Sequence, residues 1–140
     1  MSSPLFMLDT NIVSYVVTGR YPMVRRRLDA EESTRICVSV ITRAELLFGL
    51  KRLPADHPRS FDVRNFLEEA YVLAWDERAA DVHADIRHQL QSTGQPIGEM
   101  DTMIAAHAIA LDAVLVTNNA RHFGRLSPPL RLENWASPLE

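Results

Sequence analysis

Short apolar runs rich in β-branched residues alternate with longer segments of helical period along most of the chain. This alternation predicts a mostly parallel sheet covered by helices on both faces. The predicted strands are 6–8, 36–40, 113–117 and 130–133, with a short apolar segment at 72–75. Three predicted helices are 10–17, 42–53 and 100–111. Three others are predicted from their boundary residues: one begins at Pro22, one lies between Pro58 and Tyr71, and one begins after the cap Asp76 and ends at Gly94. We therefore expect one α/β domain over residues 1–140, with a central sheet of four to five strands.

Composition neither favours nor excludes a nucleic-acid partner. The formal net charge is −3, but carboxylates gathered around a metal ion would raise the acidic count without making the remaining surface acidic. Of the 15 basic residues, 14 are arginines and the other is Lys51. Several arginines are clustered, at 25–27 and at 121–125, so a polyanionic partner stays open.

The apolar runs and the single cysteine predict a protein of a reducing compartment. The longest apolar run, 104–116, is interrupted by His107 and Asp112 and is too short to span a membrane. Residues 1–5 lack the basic patch and apolar segment of a secretory leader, so we expect a cytoplasmic protein without a membrane partner. Cys37 lies in an apolar stretch and is expected to be a buried thiol.

Acidic side chains occur where predicted strands end or where the neighbouring helices begin. Asp9 directly follows the first strand, Glu45 lies in the helix after the second, and Asp101 opens the helix before strand 113–117. Parallel sheets bind ligands outside the carboxyl ends of their strands, so these carboxylates can share one edge. They would repel one another unless a cation lay among them, and Mg²⁺ prefers hard oxygen ligands. The placement predicts a Mg²⁺ site that activates a water and neutralises charge on a phosphate.

Each carboxylate also has a structural interpretation that needs no metal. Asp9 could cap the helix that follows it. The spacing of Thr42 and Glu45 is that of a capping box, in which the glutamate bonds the backbone at the helix start. Asp101 could complement the positive end of its own helix. Spacing alone leaves both interpretations open.

Five segments form an ordered set of motifs along the chain. They are MLDTN at 7–11, ITRAELLFG at 41–49, PIGEMDTMIAAHA at 96–108, VTNNARHF at 116–123 and LRLENW at 130–135. This set resembles the PIN-domain ribonucleases, specifically the toxins of bacterial VapBC-type toxin–antitoxin pairs. The resemblance covers nearly the whole chain and implies a single PIN-like domain with metal-dependent endoribonuclease activity.

The resemblance also implies a ligand set. Asp9, Glu45 and Asp101 correspond to acidic metal ligands, with Mg²⁺ as cofactor and Mn²⁺ as a substitute. A fourth acidic residue is often found in the family where this chain has Asn119, so we expect one metal, and a second only with substrate. An amide oxygen coordinates without adding charge, and Asn119 is expected to orient a water or a ligand. Glu99 is a candidate for the missing charge, with a solvated loop carboxylate as the alternative.

Neighbouring residues are candidates for holding the ligands and the RNA. Thr117 and Asn11 are predicted supporting residues, although a buried threonine at a strand end is an equal explanation for Thr117. RNA is a polyanion, and Arg43 and Arg121 are the arginines closest in sequence to the acidic motifs. The resemblance further implies a homodimer and a cognate antitoxin whose tail covers the active-site region. The Thr-Asn-Asn segment resembles toxins that cut the anticodon region of initiator tRNA.

Three other conspicuous residues are interpreted as structural. His107 lies six positions beyond Asp101, about 240° around an ideal helix, and so leaves the ligand's face. Phe48 and Trp135 are expected in the core or in a dimer interface rather than as platforms for bases.

Other functions were weighed against the ribonuclease. A receiver-type phosphoacceptor domain needs a lysine after a late strand, but Lys51 lies in an early helix. A haloacid-dehalogenase-like phosphatase needs a second aspartate where this chain has Asn11. A catalytically inactive PIN fold that binds RNA or protein is the remaining alternative, and retention of all three acidic residues argues against it.

Overall fold

Five parallel strands form one sheet in the computed structural model, which describes residues 4–126 and 130–136. The strands are β1 (Phe6–Leu8), β2 (Ile36–Ser39), β3 (Tyr71–Leu73), β4 (Val114–Val116) and β5 (Leu132–Glu133). Their order across the sheet is β3-β2-β1-β4-β5, and every pairing is parallel. The sequence-based prediction of an α/β domain with a mostly parallel sheet is confirmed.

Seven α-helices connect the strands of the described chain. They are α1 (Thr10–Thr18), α2 (Pro22–Ala30), α3 (Val40–Leu50), α4 (Pro58–Glu69), α5 (Glu77–Ser92), α6 (Glu99–Ala110) and α7 (Ala120–Phe123). The predicted helix signals are confirmed: Pro22 occupies the first turn of α2, and the Asp76 carboxylate accepts from the Ala79 amide at the start of α5. None of the helices in the described part of the chain has the length and apolar character needed to cross a membrane.

Side-chain alternation along the strands divides the core into two layers. Phe6 and Leu8 contribute to one layer, together with apolar residues from helices α1 to α4. Met7 and Cys37 contribute to the other layer, together with residues of α5 and α6. Helices therefore cover both faces of the sheet, as predicted, and Cys37 is the expected buried thiol.

Strand β2 ends earlier than predicted because Ser39 begins the next helix. The Ser39 hydroxyl accepts from the Ile41 amide at 3.0 Å, which makes Ser39 the N-cap of α3. Helix α3 therefore begins at Val40 rather than at Thr42, and it ends at Leu50 rather than at residue 53. Since Thr42 lies inside the helix, the capping-box interpretation of Glu45 is wrong.

The residues interpreted as structural have different environments. Trp135 is 1% exposed and packs against Phe6, with 5.4 Å between ring centroids. His107 is buried on the sheet side of α6, where its Nδ1 lies 2.8 Å from the Ser39 hydroxyl. Both belong to the core. Phe48, in contrast, is 63% exposed on α3, so it is not a core residue of this chain.

Candidate metal centre

An acidic pocket lies at the carboxyl edge of the sheet, beyond β1 and β4. It has a volume of about 240 Å³ and is lined by Asp9, Thr10, Asn11, Glu45, Asp101 and Asn119. The three carboxylates singled out in the sequence therefore meet in one place, as the topology predicts. Since a water occupies about 30 Å³ in the liquid, the pocket has room for a cation and several waters.

Asp9 is the most buried carboxylate of the pocket, with 4% of its surface exposed. Its amide donates to Val116 O, which holds the residue beside the end of β4. Its Oδ1 accepts from the Ile12 amide at 2.9 Å, so Asp9 does cap α1. The capping role and the position in the pocket are therefore compatible, because a carboxylate has two oxygens and several lone pairs.

Burial raises the pKa of Asp9 from 3.8 to about 6. Hydrogen bonds from the Thr117 hydroxyl and the Ile12 amide oppose this rise, whereas the negative charges of Asp101 and Glu45 add to it. Asp9 thus lies close enough to Asp101 and Glu45 to be repelled by both. In the described part of the chain, no arginine, lysine or histidine nitrogen lies within 4.0 Å of any of their oxygens.

Glu45 is held by a threonine of a different helix. It lies on α3, and its Oε1 accepts from the Thr10 hydroxyl at 2.5 Å. The same hydroxyl oxygen lies 3.4 Å from the hydroxyl of Thr42, which is fully buried. Since Thr10 is the first residue of α1 and directly follows Asp9, this contact couples the positions of the two carboxylates.

Asp101 lies in the first turn of α6 and is half-buried. Burial raises the pKa of its carboxyl, and the nearby His122 side chain opposes that rise. The helix begins at Glu99, two residues before Asp101, with Gly98 as a cap that has no side-chain hydrogen bond. Asp101 therefore complements the positive end of α6 and faces the pocket as well.

Asn119 and Thr117 follow β4 and are tied to each other. The Asn119 amide N–H donates to the Thr117 hydroxyl at 2.9 Å, and Thr117 is fully buried beside Asp9. The side-chain nitrogen of Asn119 lies 2.8 Å from Nδ1 of His122. Both Asn119 and the exposed Asn11 line the pocket.

Other candidate residues lie outside the pocket lining. Glu99 is exposed and lines a separate depression with His83 and Arg87, so the structure does not bring it to the three carboxylates. Arg43 and Arg121 are exposed on α3 and α7 and do not line the pocket. Neither arginine is therefore positioned to contact an ion inside the pocket.

The three carboxylates of the pocket suit a hard cation that keeps several of its waters better than a cation coordinated only by protein atoms. Among the described residues, no three carboxylate, imidazole or thiol side chains are already drawn together around one centre. Mg²⁺ is commonly bound through one or two carboxylates, with waters completing its octahedron. Three carboxylates around a pocket with room for waters fit that mode, and a positive ion would stabilise the charged form of Asp9, which burial chiefly disfavours.

Two contributors to this site could not be singled out from the sequence. Thr10 looks like an ordinary first residue of a helix, and its bond to Glu45 spans 35 positions. His122 looks like part of a basic cluster, and its contact with Asn119 depends on the turn between β4 and α7. The only sequence signal was that each lies within three residues of a predicted site residue.

Comparisons with known proteins give consistent matches over nearly the full length. The PIN domain family model matches residues 6–127. A tRNA(fMet)-specific endonuclease VapC of Salmonella typhimurium is 38% identical over 130 residues, covering 93% of this chain and 97% of that protein. A protein of the same name from Shigella flexneri is 34% identical, covering 94% of this chain and 98% of its own. The crystal structure of a DNA-bound VapBC from Salmonella typhimurium matches with a TM-score of 0.86 and 35% identity, covering 95% of this chain and 99% of that chain.

Proposed function

The chain belongs to the PIN-domain family, and from this premise we propose that it is the endoribonuclease toxin of a VapBC-type pair, a Mg²⁺-dependent hydrolase of RNA phosphodiester bonds. The observation that carries the proposal is the convergence of Asp9, Glu45 and Asp101 on one pocket at the carboxyl edge of the sheet. Burial, and to a smaller extent the negative charges of Asp101 and Glu45, disfavour the charged form of Asp9, and a cation in the pocket would stabilise that form.

The three carboxylates would hold the ion, and two of them are oriented by hydrogen bonds before it binds. Asp9 is oriented by the Ile12 amide and the Thr117 hydroxyl, and Glu45 by the Thr10 hydroxyl. When bound, Mg²⁺, or Mn²⁺ in its place, supplies a Lewis acid that activates water and neutralises charge on the scissile phosphate. Side chains that are already oriented lose little conformational entropy when they coordinate the ion, and this favours metal binding. With Asn119 in place of a fourth carboxylate, the protein alone holds one ion.

RNA binding requires positive charge outside the pocket. Arg43 and Arg121 are exposed and lie two residues from Glu45 and Asn119 in sequence, so they are the proposed contacts for RNA phosphates outside the pocket. Asn11 lines the pocket itself and can hydrogen-bond the same backbone. These contacts hold RNA without reading its sequence.

The substrate and partners follow from the relatives' names. Two similar proteins are tRNA(fMet)-specific endonucleases, so initiator tRNA is the proposed substrate. Matching solved structures are VapBC complexes, so the proposed protein partner is a cognate antitoxin. A homodimer is part of the same proposal, and sedimentation analysis of the purified chain tests it.

A cleavage assay tests the metal site. Wild-type protein is incubated with initiator tRNA and with an elongator tRNA, in Mg²⁺, in Mn²⁺, and with EDTA. We expect cleavage of initiator tRNA that EDTA and Asp9→Asn both abolish. Asparagine caps a helix about as well as aspartate, so Asp9→Asn should fold. Asp62→Asn, which changes an exposed aspartate of α4, is the matched control and should keep full activity.

The possible results separate the parts of the proposal. Activity that persists in folded Asp9→Asn would refute the metal site. Equal cleavage of both tRNAs would refute the initiator assignment but not the nuclease. Failure of the wild type to cut any cellular RNA in either metal would refute the nuclease and favour an inactive PIN fold that binds RNA or protein.

A further inference from the structure

We propose that His122 is a positioning residue, which fixes the side-chain amide of Asn119 so that Asn119 Oδ1 serves as a fourth, uncharged oxygen ligand of the acidic pocket. This inference rests on the metal centre of the proposed function, and it assigns a role to a histidine that is not itself part of the pocket lining.

The contact between the two side chains defines the orientation of the amide. Asn119 Nδ2 lies 2.8 Å from His122 Nδ1. An amide nitrogen can only donate, so His122 Nδ1 accepts and its ring proton lies on Nε2. The backbone N–H of Asn119 is already bonded to the Thr117 hydroxyl at 2.9 Å. Both ends of the residue are thereby fixed.

The oxygen of the Asn119 amide is the atom that remains available. Within residues 4–126 and 130–136, no hydrogen bond to Asn119 Oδ1 is found, while Asn119 lines the pocket with the three carboxylates. Without His122, the amide could turn by half a rotation and present its NH₂ group, which repels a cation. The hydrogen bond to Nδ1 disfavours that orientation.

An uncharged oxygen suits the charge balance of this pocket. Three carboxylates already exceed the charge of one divalent ion, and a fourth would add repulsion where the pocket is most buried, at Asp9. An amide oxygen adds a ligand without adding charge. His122 also lies near Asp101, and its protonated form, which could not accept from the Asn119 amide, would oppose the rise in the pKa of that carboxyl. The test must therefore separate an effect through Asn119 from an effect through Asp101.

A double-mutant cycle on metal affinity makes that separation. Mn²⁺ binding to the RNA-free protein is measured by calorimetry for the wild type, Asn119→Ala, His122→Ala and the double variant. We expect each single variant to lose about 10-fold in affinity. The double variant should lose no more than Asn119→Ala alone, because His122 has nothing left to position.

Two further variants test the hydrogen bond itself. In His122→Asn the side-chain oxygen can replace Nδ1 as the acceptor, so affinity should recover to within about twofold of the wild type. His122→Phe keeps the ring but not the acceptor and should behave like His122→Ala. His88→Ala, which removes an exposed histidine of α5, is the matched control and should bind as the wild type does. Thermal unfolding of every variant shows that it is folded.

The results that overturn the inference are distinct from those that overturn the proposed function. Wild-type affinity in His122→Ala, or losses that multiply in the double variant, would refute the positioning role while leaving the metal centre intact. A wild-type protein that binds no Mn²⁺ would refute the metal centre and this inference together. A protein that binds Mn²⁺ with the expected cycle but cuts no RNA would refute only the nuclease.

Discussion

The hydroxyl of Thr10 donates to Oε1 of Glu45 across 2.5 Å and so joins the start of α1 to α3. Because Thr10 directly follows Asp9, the contact fixes the distance between two of the three carboxylates in the pocket. It also satisfies one Glu45 oxygen before any ion binds. Groups that orient metal ligands in this way commonly contribute 10- to 100-fold to metal affinity or activity.

Replacing Thr10 tests that coupling. Thr10→Val keeps the shape of the side chain but removes the donor, so we expect about a 10-fold loss in Mn²⁺ affinity. Thr10→Ser keeps the hydroxyl and should retain most of the Mn²⁺ affinity. Thr18→Val, at the other end of the same helix, is the control for loss of a threonine hydroxyl. Calorimetric titration measures all three, and a Thr10→Val protein with wild-type affinity would contradict the coupling.

The raised pKa of Asp9 predicts that this carboxylate destabilises the metal-free protein at neutral pH. Its pKa is about 6 in the folded state against 3.8 as the reference, so the folded protein binds more protons between these values. The contribution of Asp9 to wild-type stability should therefore fall as pH rises from about 4 through 6. Asp9→Asn escapes this loss and should be more stable at pH 7 by at most about 3 kcal/mol.

Urea unfolding in EDTA at several pH values measures the difference. The advantage of Asp9→Asn should vanish below pH 4, where the carboxyl is protonated in both states. Saturating Mg²⁺ should reverse the order, because only the wild type gains the full binding energy. Asp62→Asn is the control, since Asp62 is exposed. An advantage that stays the same at pH 4 would show that it has another cause.

The edge at which the pocket forms could be predicted, because it depends on topology. Strands of a parallel sheet all end at the same edge, so Asp9 and Asp101 could be placed there from their positions beside predicted strands. The motif resemblance then favoured a metal ligand over a helix cap at Glu45. The exact start of α3 could not be predicted, because Ser39 and Thr42 are both acceptable caps and only packing decides between them.

The hydrogen bonds that orient the side chains of the pocket could not be predicted. The Thr10–Glu45 and Asn119–His122 bonds depend on side-chain orientation and on the approach of separate elements to within a few tenths of an ångström. Glu99 is the opposite case, a residue that is close to the site in sequence but does not line the pocket. It lies only two residues from Asp101, but a helix turns about 200° over two residues, and Glu99 therefore faces a different depression.

The buried His107 predicts a loss of stability in mild acid. Burial lowers the pKa of its imidazole, and the nearby Asp76 carboxylate and Ala74 backbone only partly oppose this. The unfolded chain therefore takes up a proton more readily than the folded one. The contribution of His107 to stability should fall as pH drops below about 6.5, the ordinary pKa of histidine.

Replacing His107 should remove that part of the pH dependence. His107→Asn keeps a side-chain group that can bond the Ser39 hydroxyl but has no titrating ring. Its overall stability should be lower because the core loses volume. The stability difference between the wild type and this variant should nevertheless shrink from pH 7 to pH 5, because only the wild type loses the His107 contribution. His88→Asn, at an exposed histidine, should keep the wild-type slope, and equal slopes in all three proteins would contradict the prediction.

Two arginines are predicted to bind RNA, whereas Arg25 and Arg27 of the basic cluster at 25–27 have other contacts. Arg25 pairs with Asp29, and Arg27 bonds Glu133 at 3.0 Å. Within residues 4–126 and 130–136, Arg43 and Arg121 form no ion pair with a carboxylate, and both are exposed. An exposed arginine without a carboxylate partner can neutralise a phosphate at little cost.

The dependence of RNA affinity on salt distinguishes these roles. In the Asp9→Asn background, which prevents cleavage, Arg43→Ala and Arg121→Ala should each weaken binding of initiator tRNA. Each should also reduce the slope of log affinity against log salt by about 1, the value for one lost phosphate contact. Arg59→Ala, at an exposed arginine of α4, is the control and should leave the slope unchanged. Filter binding between low and moderate salt measures the slopes. If Arg43→Ala or Arg121→Ala kept the parent slope, that arginine would not contact the RNA backbone.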